Sequence, residues 1–206
     1  MKLLVATSNP NKVRELSEVL GPLGISVMGL HELSTQIPEP EEDADTFEGN
    51  ARIKALAYAA ALNMACVAED SGLEVDALGG APGVYSARYA GVGGTREEKD
   101  RANNDKLLRE LAGVADRSAR FVCALCMVDA QGEVLFETRG TYEGAIVRGT
   151  PDDPPRGANG FGYDPLLYLP DVGKTSAELA PAEKNARSHR GRAARALAAF
   201  LSDYTP

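Results

Sequence analysis

Two adjacent carboxylates, Glu69 and Asp70, follow a short apolar segment and precede Ser71 and a glycine. Ligands of open α/β sheets gather at the carboxyl ends of the strands, which is where this pattern predicts the two side chains. Because successive side chains of a strand point to opposite faces, both can face one ligand only if the chain bends, as Ser71 and the glycine would allow. With Glu41 or Glu42 from an acidic segment, these oxygens are typical Mg²⁺ ligands. The alternative is a solvated strand end.

The segment ATSNPNK, residues 6–12, has the composition of a phosphate-binding turn. It lies between a predicted strand and a predicted helix, where free backbone N–H groups and the positive helix end attract anions. Lys12 could fold back over a bound phosphate, and Thr7, Ser8 and Asn9 add short polar donors. The segment lacks the GxxxxGK[ST] pattern of a P-loop, so it predicts a different phosphate cradle. The alternative is a capped turn without a ligand.

Cations are concentrated in two places in an otherwise acidic chain. Lys54 lies four residues after Asn50, so the two side chains share one face of an alanine-rich helix, although such a pair is more often solvated than functional. Near the C-terminus, basic side chains form a cluster that favours binding of a small polyanion. They are Lys184, Arg187, His189, Arg190 and Arg192.

The segment GFGYDP, residues 160–165, places Phe161 and Tyr163 between glycines. Exposed aromatic side chains in a glycine-rich loop are poor core residues but good stacking faces for a nucleobase. A phosphate cradle, metal-binding carboxylates, a base platform and a basic cluster together predict a nucleoside triphosphate site.

The composition narrows the class of protein. A chain of 206 residues suits one domain that buries roughly 70% of the surface of its unfolded form. The net charge of -8 argues against a general binder of nucleic acids or membrane surfaces, because those proteins bind through basic patches. A phosphate ligand must therefore be met by a local basic site.

The cysteine pattern predicts core thiols in a reducing compartment. Cys123 and Cys126 lie in an apolar segment that alternates like a buried strand, where side chains three residues apart point to opposite faces. With Cys66 the count is odd, which indicates the cytoplasm rather than a disulfide framework. The first apolar segment is too short for a signal peptide, and no segment approaches the ~20 apolar residues of a membrane span.

The elements that must position these groups follow from hydrophobic periodicity and capping residues. Helices and strands alternate without an internal repeat, so the predicted class is α/β in one domain over residues 1–206. Strands are predicted at residues 2–6, 25–28, 66–68, 119–129, 134–138 and 141–147. Helices are predicted at residues 11–20, 46–62 and 95–111 and in two pieces over residues 174–204 that meet near residues 187–188. Loops are predicted at residues 34–45 and 148–165.

Five motifs occur in order along nearly the whole chain: ATSNPNKVREL, TFEGNARIKA, AEDSGLEVDALGGAPGVYSARYAG, GFGYDPL and SAELAPAEKNARSHRGRA. They resemble the motifs of the inosine triphosphate pyrophosphatase family, the XTP/dITP diphosphatases that remove deaminated purine nucleotides. The resemblance implies an elongated α/β protein with a central mixed sheet flanked by helices, two lobes with a substrate cleft between them, and a homodimer. It also implies Mg²⁺-dependent hydrolysis of ITP, dITP or XTP to the monophosphate and pyrophosphate.

By motif, the resemblance assigns roles to individual residues. Asp70 would be the proton acceptor and a metal ligand, and Glu42 the second ligand. Because the chain has Asp-Ala where the family often has Thr-Gly after that glutamate, Glu41 stays an alternative to Glu42. Beyond the resemblance, the position of Glu69 beside Asp70 makes it an expected outer metal partner. The residues expected to contact the nucleotide are Thr7, Ser8, Asn9, Pro10, Asn11, Lys12, Asn50, Lys54, Ser71, Phe161, Gly162, Tyr163, Asp164, Lys184, His189 and Arg190.

Two other functions are open to a chain with these motifs. One is the related septum-inhibitor nucleotide pyrophosphatase family, which favours methylated or pyrimidine nucleotides and is disfavoured by the SHRGRA motif. The other is a nucleotide sensor without catalysis, which the presence of Glu42, Asp70 and Lys12 disfavours. Selection of a deaminated base requires a donor aimed at its 6-keto oxygen, and His189, Arg190 or backbone N–H groups near Phe161 are candidates.

Overall fold

The computed structural model describes residues 2–34, 37–153 and 156–204. The predicted loops over residues 34–45 and 148–165 include residues 35–36 and 154–155, which lie outside the described residues. The strands are β1 (Lys2–Val5), β2 (Ser26–Gly29), β3 (Cys66–Val75), β4 (Ser118–Val128), β5 (Val134–Ile146), β6 (Leu167–Leu169) and β7 (Lys174–Thr175), and the α-helices are α1 (Pro10–Leu20), α2 (Phe47–Leu62), α3 (Arg96–Glu110), α4 (Pro181–Arg187) and α5 (His189–Asp203).

The strands form one open mixed sheet in the order β2-β1-β3-β4-β5-β6-β7. Strand β1 pairs in parallel with β2 and β3, whereas β6 pairs antiparallel with β5 and β7. Helices flank the sheet, so the predicted α/β class with a mixed sheet is confirmed. No helix among the described residues is long and apolar enough to cross a membrane.

The chain divides into two compact units, each with its own core. Unit 1 consists of Met1–Ser71, Cys123–Thr141 and Ser188–Pro206, and unit 2 of Gly72–Val122 and Tyr142–Arg187. In unit 1, residues from α1, α5 and the strands pack together, among them Leu16, Val67, Leu125 and Leu197. In unit 2, the core includes Leu73, Leu107, Phe121 and Leu167. The predicted single domain with two lobes and a cleft stays a prediction.

Two predicted strand boundaries are wrong. Strand β3 does not end before the carboxylates or bend after them, but continues to Val75, because Leu73 and Val75 alternate inward and are fully buried. The two strands predicted at residues 134–138 and 141–147 are one strand, β5. The strand continues through Gly140, where a side chain would overlap with the backbone oxygen of His189. The glycine therefore serves a close backbone approach, not a turn.

Polar caps begin the helices close to where the sequence predicts them. Asn9 caps α1 by accepting a hydrogen bond from the N–H of Asn11, and Thr46 caps α2 through the N–H of Gly49. Thr95 and Glu98 form a reciprocal capping box at the start of α3. Helices α4 and α5 meet at Ser188, which caps α5, so the predicted junction is confirmed. The predicted start of the first piece at residue 174 is wrong, because β7 lies there and α4 begins at Pro181.

The three cysteines are free and buried, as the alternating pattern predicts. Burial raises the pKa of the Cys66 thiol to about 12 and that of Cys126 to about 12. Thiols with such pKa values stay protonated at neutral pH and are poor nucleophiles or metal ligands. They therefore serve as core residues.

Candidate active site

Strand β3 directs Glu69 and Asp70 to different partners, as the alternation of a strand requires. The carboxylate of Glu69 lies 2.9 Å from Lys12 Nζ and 2.8 Å from Arg190 Nε. The carboxylate of Asp70 lies 3.2 Å from Lys54 Nζ. All of these residues belong to unit 1, so both ion-paired groups form within this unit.

The first group, called here the Asp70 group, consists of Asp70, Glu42, Lys54 and Asn50. Lys54 Nζ donates hydrogen bonds to Glu42 at 2.8 Å and to Asp70 at 3.2 Å. Asn50 donates to Asp70 at 3.3 Å and is itself fixed because it accepts the Ala44 N–H at 3.0 Å. Asn50 and Lys54 share one face of α2, as predicted from their spacing, but both are buried rather than solvated.

Burial governs the charges of the Asp70 group. Burial raises the pKa of the Asp70 carboxyl above its usual value, while the nearby Lys54 ammonium acts in the opposite direction. For Lys54, burial lowers the pKa, but Asp70 and Glu42 together outweigh it and the net pKa is raised. Lys54 therefore stays a cation, and Asp70 is a carboxylate of increased basicity. Such a perturbed, partly buried pair is typical of an active site.

The Asp70 group offers hard oxygen donors for a divalent cation. Glu42 and Asp70 converge on one lysine ammonium, which shows that positive charge is favoured between their oxygens, and carboxylates are the donors that Mg²⁺ prefers. Glu41 is exposed, so of the two candidates the structure places Glu42 next to Asp70. Among the described residues, no group of three or more His, Cys, Asp or Glu side chains is arranged to hold a metal ion.

The second group, called here the Glu69 network, consists of Glu69, Arg190, Lys12, Glu15 and Ser71. Arg190 donates to Glu69 at 2.8 Å, to Glu15 at 2.6 Å and to the hydroxyl of Ser71 at 3.2 Å. The Glu69 side chain has no exposed surface, and that of Arg190 is 3% exposed. Although burial alone would raise the pKa of Glu69, Arg190 and Lys12 hold it well below its usual range. The network is therefore a permanent buried ion cluster.

The turn before α1 is built as a polar cap. Thr7 Oγ1 accepts a hydrogen bond from the Asn9 N–H at 3.1 Å, and Asn9 Oδ1 accepts from the Asn11 N–H at 3.0 Å. Pro10 is the first residue of α1, a position that needs no N–H donor. Ser8 is exposed and lines a cavity of about 390 Å³ in unit 1, together with Leu30, His31, Leu33, Ile37, Glu39 and Tyr58.

Unit 2 holds a separate polar group around Asp164. Its carboxylate accepts hydrogen bonds from Lys184 Nζ at 2.6 Å, from the Ser176 hydroxyl at 2.7 Å and from the Phe161 N–H at 2.8 Å. Lys184 Nζ also lies 5.6 Å from the ring centroid of Phe161. Asp164 and Lys184 are both buried. This unit thus brings Phe161, Asp164 and Lys184 together, as the motif GFGYDP and the basic cluster suggested.

The prediction that Tyr163 is an exposed stacking face is wrong. Its side chain belongs to the core of unit 2, and its hydroxyl donates to the carbonyl of Ser86 at 2.9 Å. Phe161 is only half-buried and keeps the properties of a stacking face. The glycines around Phe161 and Tyr163 suggested exposure of both rings, but the segment is a series of turns that packs the Tyr163 ring into the core of unit 2. His189 is the first residue of α5 and is also buried.

Several residues of these groups were missed by sequence reasoning. Glu15 binds Arg190, and its position three residues after Lys12 on the same helix face could have identified it. Ser176 binds Asp164, but its only signal is a place inside a motif. Asp100 and Asn104 bind the backbone of Gly162, and nothing in their local sequence indicates a contact with a segment so distant along the chain.

The fold and the buried charged groups together indicate the class of protein. The open mixed sheet carries buried lysine–carboxylate pairs along one of its strands, and such a concentration of buried, perturbed charges is typical of an α/β enzyme. The family model described as "Ham1 family" matches residues 3–200, and the chain belongs to this family.

Individual relatives agree with this assignment. The chain is 52% identical over 201 residues to a protein of Exiguobacterium sp. strain AT1b named "dITP/XTP pyrophosphatase", covering 98% of this chain and 97% of the relative. A HAM1 protein structure from Coxiella burnetii is 39% identical with a TM-score of 0.87, covering 99% of this chain and 100% of that one. A Staphylococcus aureus Ham1 structure is 40% identical with a TM-score of 0.84, covering 98% of each chain.

Proposed function

We propose that this protein hydrolyses dITP, ITP and XTP to the nucleoside monophosphate and pyrophosphate, and so removes deaminated purine nucleotides from the nucleotide pool. The near full-length identity of 52% to a dITP/XTP pyrophosphatase supports the substrate class. The observation that carries the proposal for the reaction is the placement of Asp70 and Glu42 around the Lys54 ammonium. This arrangement places a carboxylate that can act as a base, Asp70, beside a cation, Lys54.

Asp70 is the proposed general base. Release of pyrophosphate requires attack of water at the α-phosphorus, so a group must orient that water and take its proton. The raised pKa of Asp70 makes it a better proton acceptor than an exposed aspartate, and the hydrogen bond from Asn50 fixes its orientation. Lys54 compensates charge next to Asp70, which stabilises negative charge that spreads over phosphate oxygens.

The turn of residues 6–12 is the proposed phosphate-binding element. The positive end of α1 attracts an anion, and Ser8 adds an exposed hydroxyl, while the N–H groups of Asn9 and Asn11 are bonded within the turn. Lys12 is bound to Glu69 but its side chain keeps 18% exposure, so the ammonium can meet a phosphate oxygen while it remains paired. Pro10 and Asn11 contribute through the backbone geometry of the first helical turn.

A divalent metal ion, which we propose to be Mg²⁺, is the expected cofactor. Glu42 and Asp70 would hold it, because their oxygens already share a cation, and Glu69 stays the predicted outer partner although its carboxylate is bound by Lys12 and Arg190. The ion supplies neutralisation of charge on the phosphate oxygens when bound. The chain's own residues orient the water and the phosphates.

Phe161 is the proposed stacking platform for the base, with Asp164 and Lys184 as polar contacts beside it. The three residues are linked through the Asp164 carboxylate, and Phe161 is the half-buried ring of the segment. Gly162, Ser71, His189 and Arg190 stay predicted nucleotide contacts. A donor among these groups that bonds the 6-keto oxygen of hypoxanthine or xanthine would be left unpaired by adenine, and such sites discriminate by ~10⁴ or more.

We further propose a cytoplasmic homodimer that does not bind nucleic acids or membranes. The three free buried thiols support a reducing compartment, and the net charge of -8 disfavours polyanionic partners. The homodimer follows from the family resemblance, and light scattering of the purified protein measures it directly.

Pyrophosphate release across a nucleotide panel tests the proposal. We expect turnover of dITP, ITP and XTP with Mg²⁺, weak turnover of GTP and ATP, and none after chelation by EDTA until Mg²⁺ is restored. Preference for UTP or methylated nucleotides would instead assign the septum-inhibitor type of activity. Binding of dITP without any turnover would identify a nucleotide sensor and contradict the proposal.

A further inference from the structure

One face of α3 grips the segment that carries Phe161. Asp100 Oδ2 accepts a hydrogen bond from the Gly162 N–H at 2.9 Å, and Asn104 Nδ2 donates to the Gly162 carbonyl at 3.1 Å. Arg96 places its guanidinium carbon 4.5 Å from the ring centroid of Phe161. Because these three residues are spaced by four, they lie on successive turns of the same helix face. They are called here the α3 clamp.

The clamp binds the backbone of the segment that carries Phe161. Gly162 has a left-handed φ of 60°, and both of its backbone polar groups are bound by α3. On the other side, the Phe161 N–H donates to Asp164 Oδ2 at 2.8 Å, and the Phe161 carbonyl accepts from the Asp164 N–H at 3.3 Å. The backbone at Phe161 and Gly162 is therefore bound by two carboxylates, Asp164 and Asp100, and the orientation of the Phe161 ring depends on both.

Asp100 binds a cation as well as the Gly162 N–H. Asp100 lies 3.9 Å from Arg96, so the charge that binds the Gly162 N–H also holds the cation that covers the Phe161 ring. The side chain of Asp100 is 27% exposed and that of Arg96 is 52% exposed. A guanidinium over an aromatic ring is attracted by the negative ring face, which restrains the ring further. All groups of the clamp and its target belong to unit 2.

We propose that Arg96, Asp100 and Asn104 are positioning residues that set the selectivity for the nucleobase by preorganising the Phe161 platform. The inference rests on the proposed role of Phe161 in base stacking. A platform held in one orientation binds a base without a further ordering cost, and a loosened platform binds weakly and discriminates poorly. The clamp residues act through Phe161, so they change binding of the base rather than the rate of the chemical step.

Steady-state kinetics with dITP and GTP test the clamp. Removing the acceptor in Asp100→Ala is expected to raise KM for dITP about tenfold, the typical effect of one lost hydrogen bond, and to leave kcat within about twofold. The ratio of kcat/KM for dITP over GTP should fall. Asp100→Asn retains an oxygen acceptor for the Gly162 N–H and should recover most of the ratio. Asn104→Ala removes the other hydrogen bond to Gly162 and should raise KM and lower the selectivity ratio in the same way. It therefore tests the clamp independently if Asp100→Ala does not fold.

The controls separate positioning from general structural support. Asp105→Ala removes a carboxylate from a different face of the same helix and should leave KM and the selectivity ratio unchanged. In a Phe161→Ala background, Asp100→Ala should cause no further change in selectivity, because the clamp has lost its target.

The outcomes distinguish the two levels of the proposal. If KM and selectivity change in Phe161→Ala but not in Asp100→Ala or Asn104→Ala, the positioning role of the α3 clamp is wrong, and the base-stacking role of Phe161 is retained. Unchanged KM and selectivity in Phe161→Ala would overturn the platform, and the clamp with it. A loss of kcat at constant KM, or a loss that Asp100→Asn does not recover, would also contradict the positioning role.

Discussion

Glu69 and Asp70 are adjacent on β3, yet their carboxylates are bound by different cations: Glu69 by Lys12 and Arg190, and Asp70 by Lys54. The alternation of the strand explains this separation, because neighbouring side chains leave it on opposite faces. The environments differ as well, since the pKa of Glu69 is held far below its usual range and that of Asp70 is raised. One carboxylate is therefore permanently ionised, and the other is suited to accept a proton.

Replacing Asp70 by Asn is expected to remove catalysis without removing binding. The amide keeps the shape of the side chain but cannot accept a proton from water, so kcat should fall by about 10² to 10⁴. Calorimetric titration with dITP should still detect binding of similar affinity. Asp105→Asn, on α3, serves as the matched control and should keep normal turnover. Normal turnover of Asp70→Asn would remove this residue from the role of general base.

Replacing Glu69 by Gln is expected to destabilise the fold strongly. The variant leaves the buried Arg190 with Glu15 as its remaining carboxylate and removes the carboxylate that binds Lys12, and loss of one partner of a buried ion pair costs about 3 to 5 kcal/mol. Urea unfolding measures this loss. Glu137→Gln is the control, because its pair with Arg52 lies at the surface, where solvent screens the charges and the pair contributes little. Equal, small losses in both variants would contradict a stabilising role for the Glu69 network.

Stability at alkaline pH should depend on Tyr163. Burial raises its pKa above the ordinary value of 10, so the folded state keeps the hydroxyl protonated where the unfolded chain loses the proton. The stabilisation is present below about pH 10 and is lost as pH rises further, by at most about 1.4 kcal/mol per pH unit. Unfolding by urea between about pH 8 and pH 11 should show a smaller loss for Tyr163→Phe than for the natural chain.

The same variant also tests the corrected position of this side chain. Since the Tyr163 hydroxyl faces the Ser86 carbonyl, Tyr163→Phe should lose about 1 kcal/mol of stability at neutral pH and keep its selectivity for dITP over GTP. A marked change in selectivity would restore Tyr163 as a base contact.

The thiols should react only when the protein unfolds. Cys66 and Cys126 have pKa values raised to about 12, so almost no thiolate is present at about pH 8. Labelling with a disulfide reagent should be slow in the native protein, and the three thiols should react rapidly in guanidinium chloride. Rapid labelling of the native chain with loss of activity would contradict their assignment as core residues.

Local patterns predicted the helices and the cysteine environment well. The caps Asn9, Thr46 and Thr95 bind N–H groups only two or three residues further along the chain, so a local sequence pattern is enough to predict them. The end of β3 was misjudged because Ser71 and Gly72 have turn propensity, whereas burial of Leu73 and Val75 decides the conformation. Tertiary burial outweighs local propensity at such positions.

The composition of the site was predictable only in part. Lys54 and Asn50 could be placed on one face of a helix, but that this face is buried against Asp70 follows from the sheet and not from the helix sequence. One of the two partners of Glu69, Arg190, lies 121 residues away along the chain, a separation that no local pattern spans. The motif resemblance named Arg190 without revealing that its guanidinium is bound by carboxylates.

At Gly140, strand β5 touches the first turn of α5 backbone to backbone, with the His189 oxygen and the Ala193 nitrogen facing the glycine. A side chain at residue 140 would therefore push the first turn of α5, which carries His189 and Arg190, away from β5. Mutant libraries that vary residue 140 would mainly yield misfolded clones.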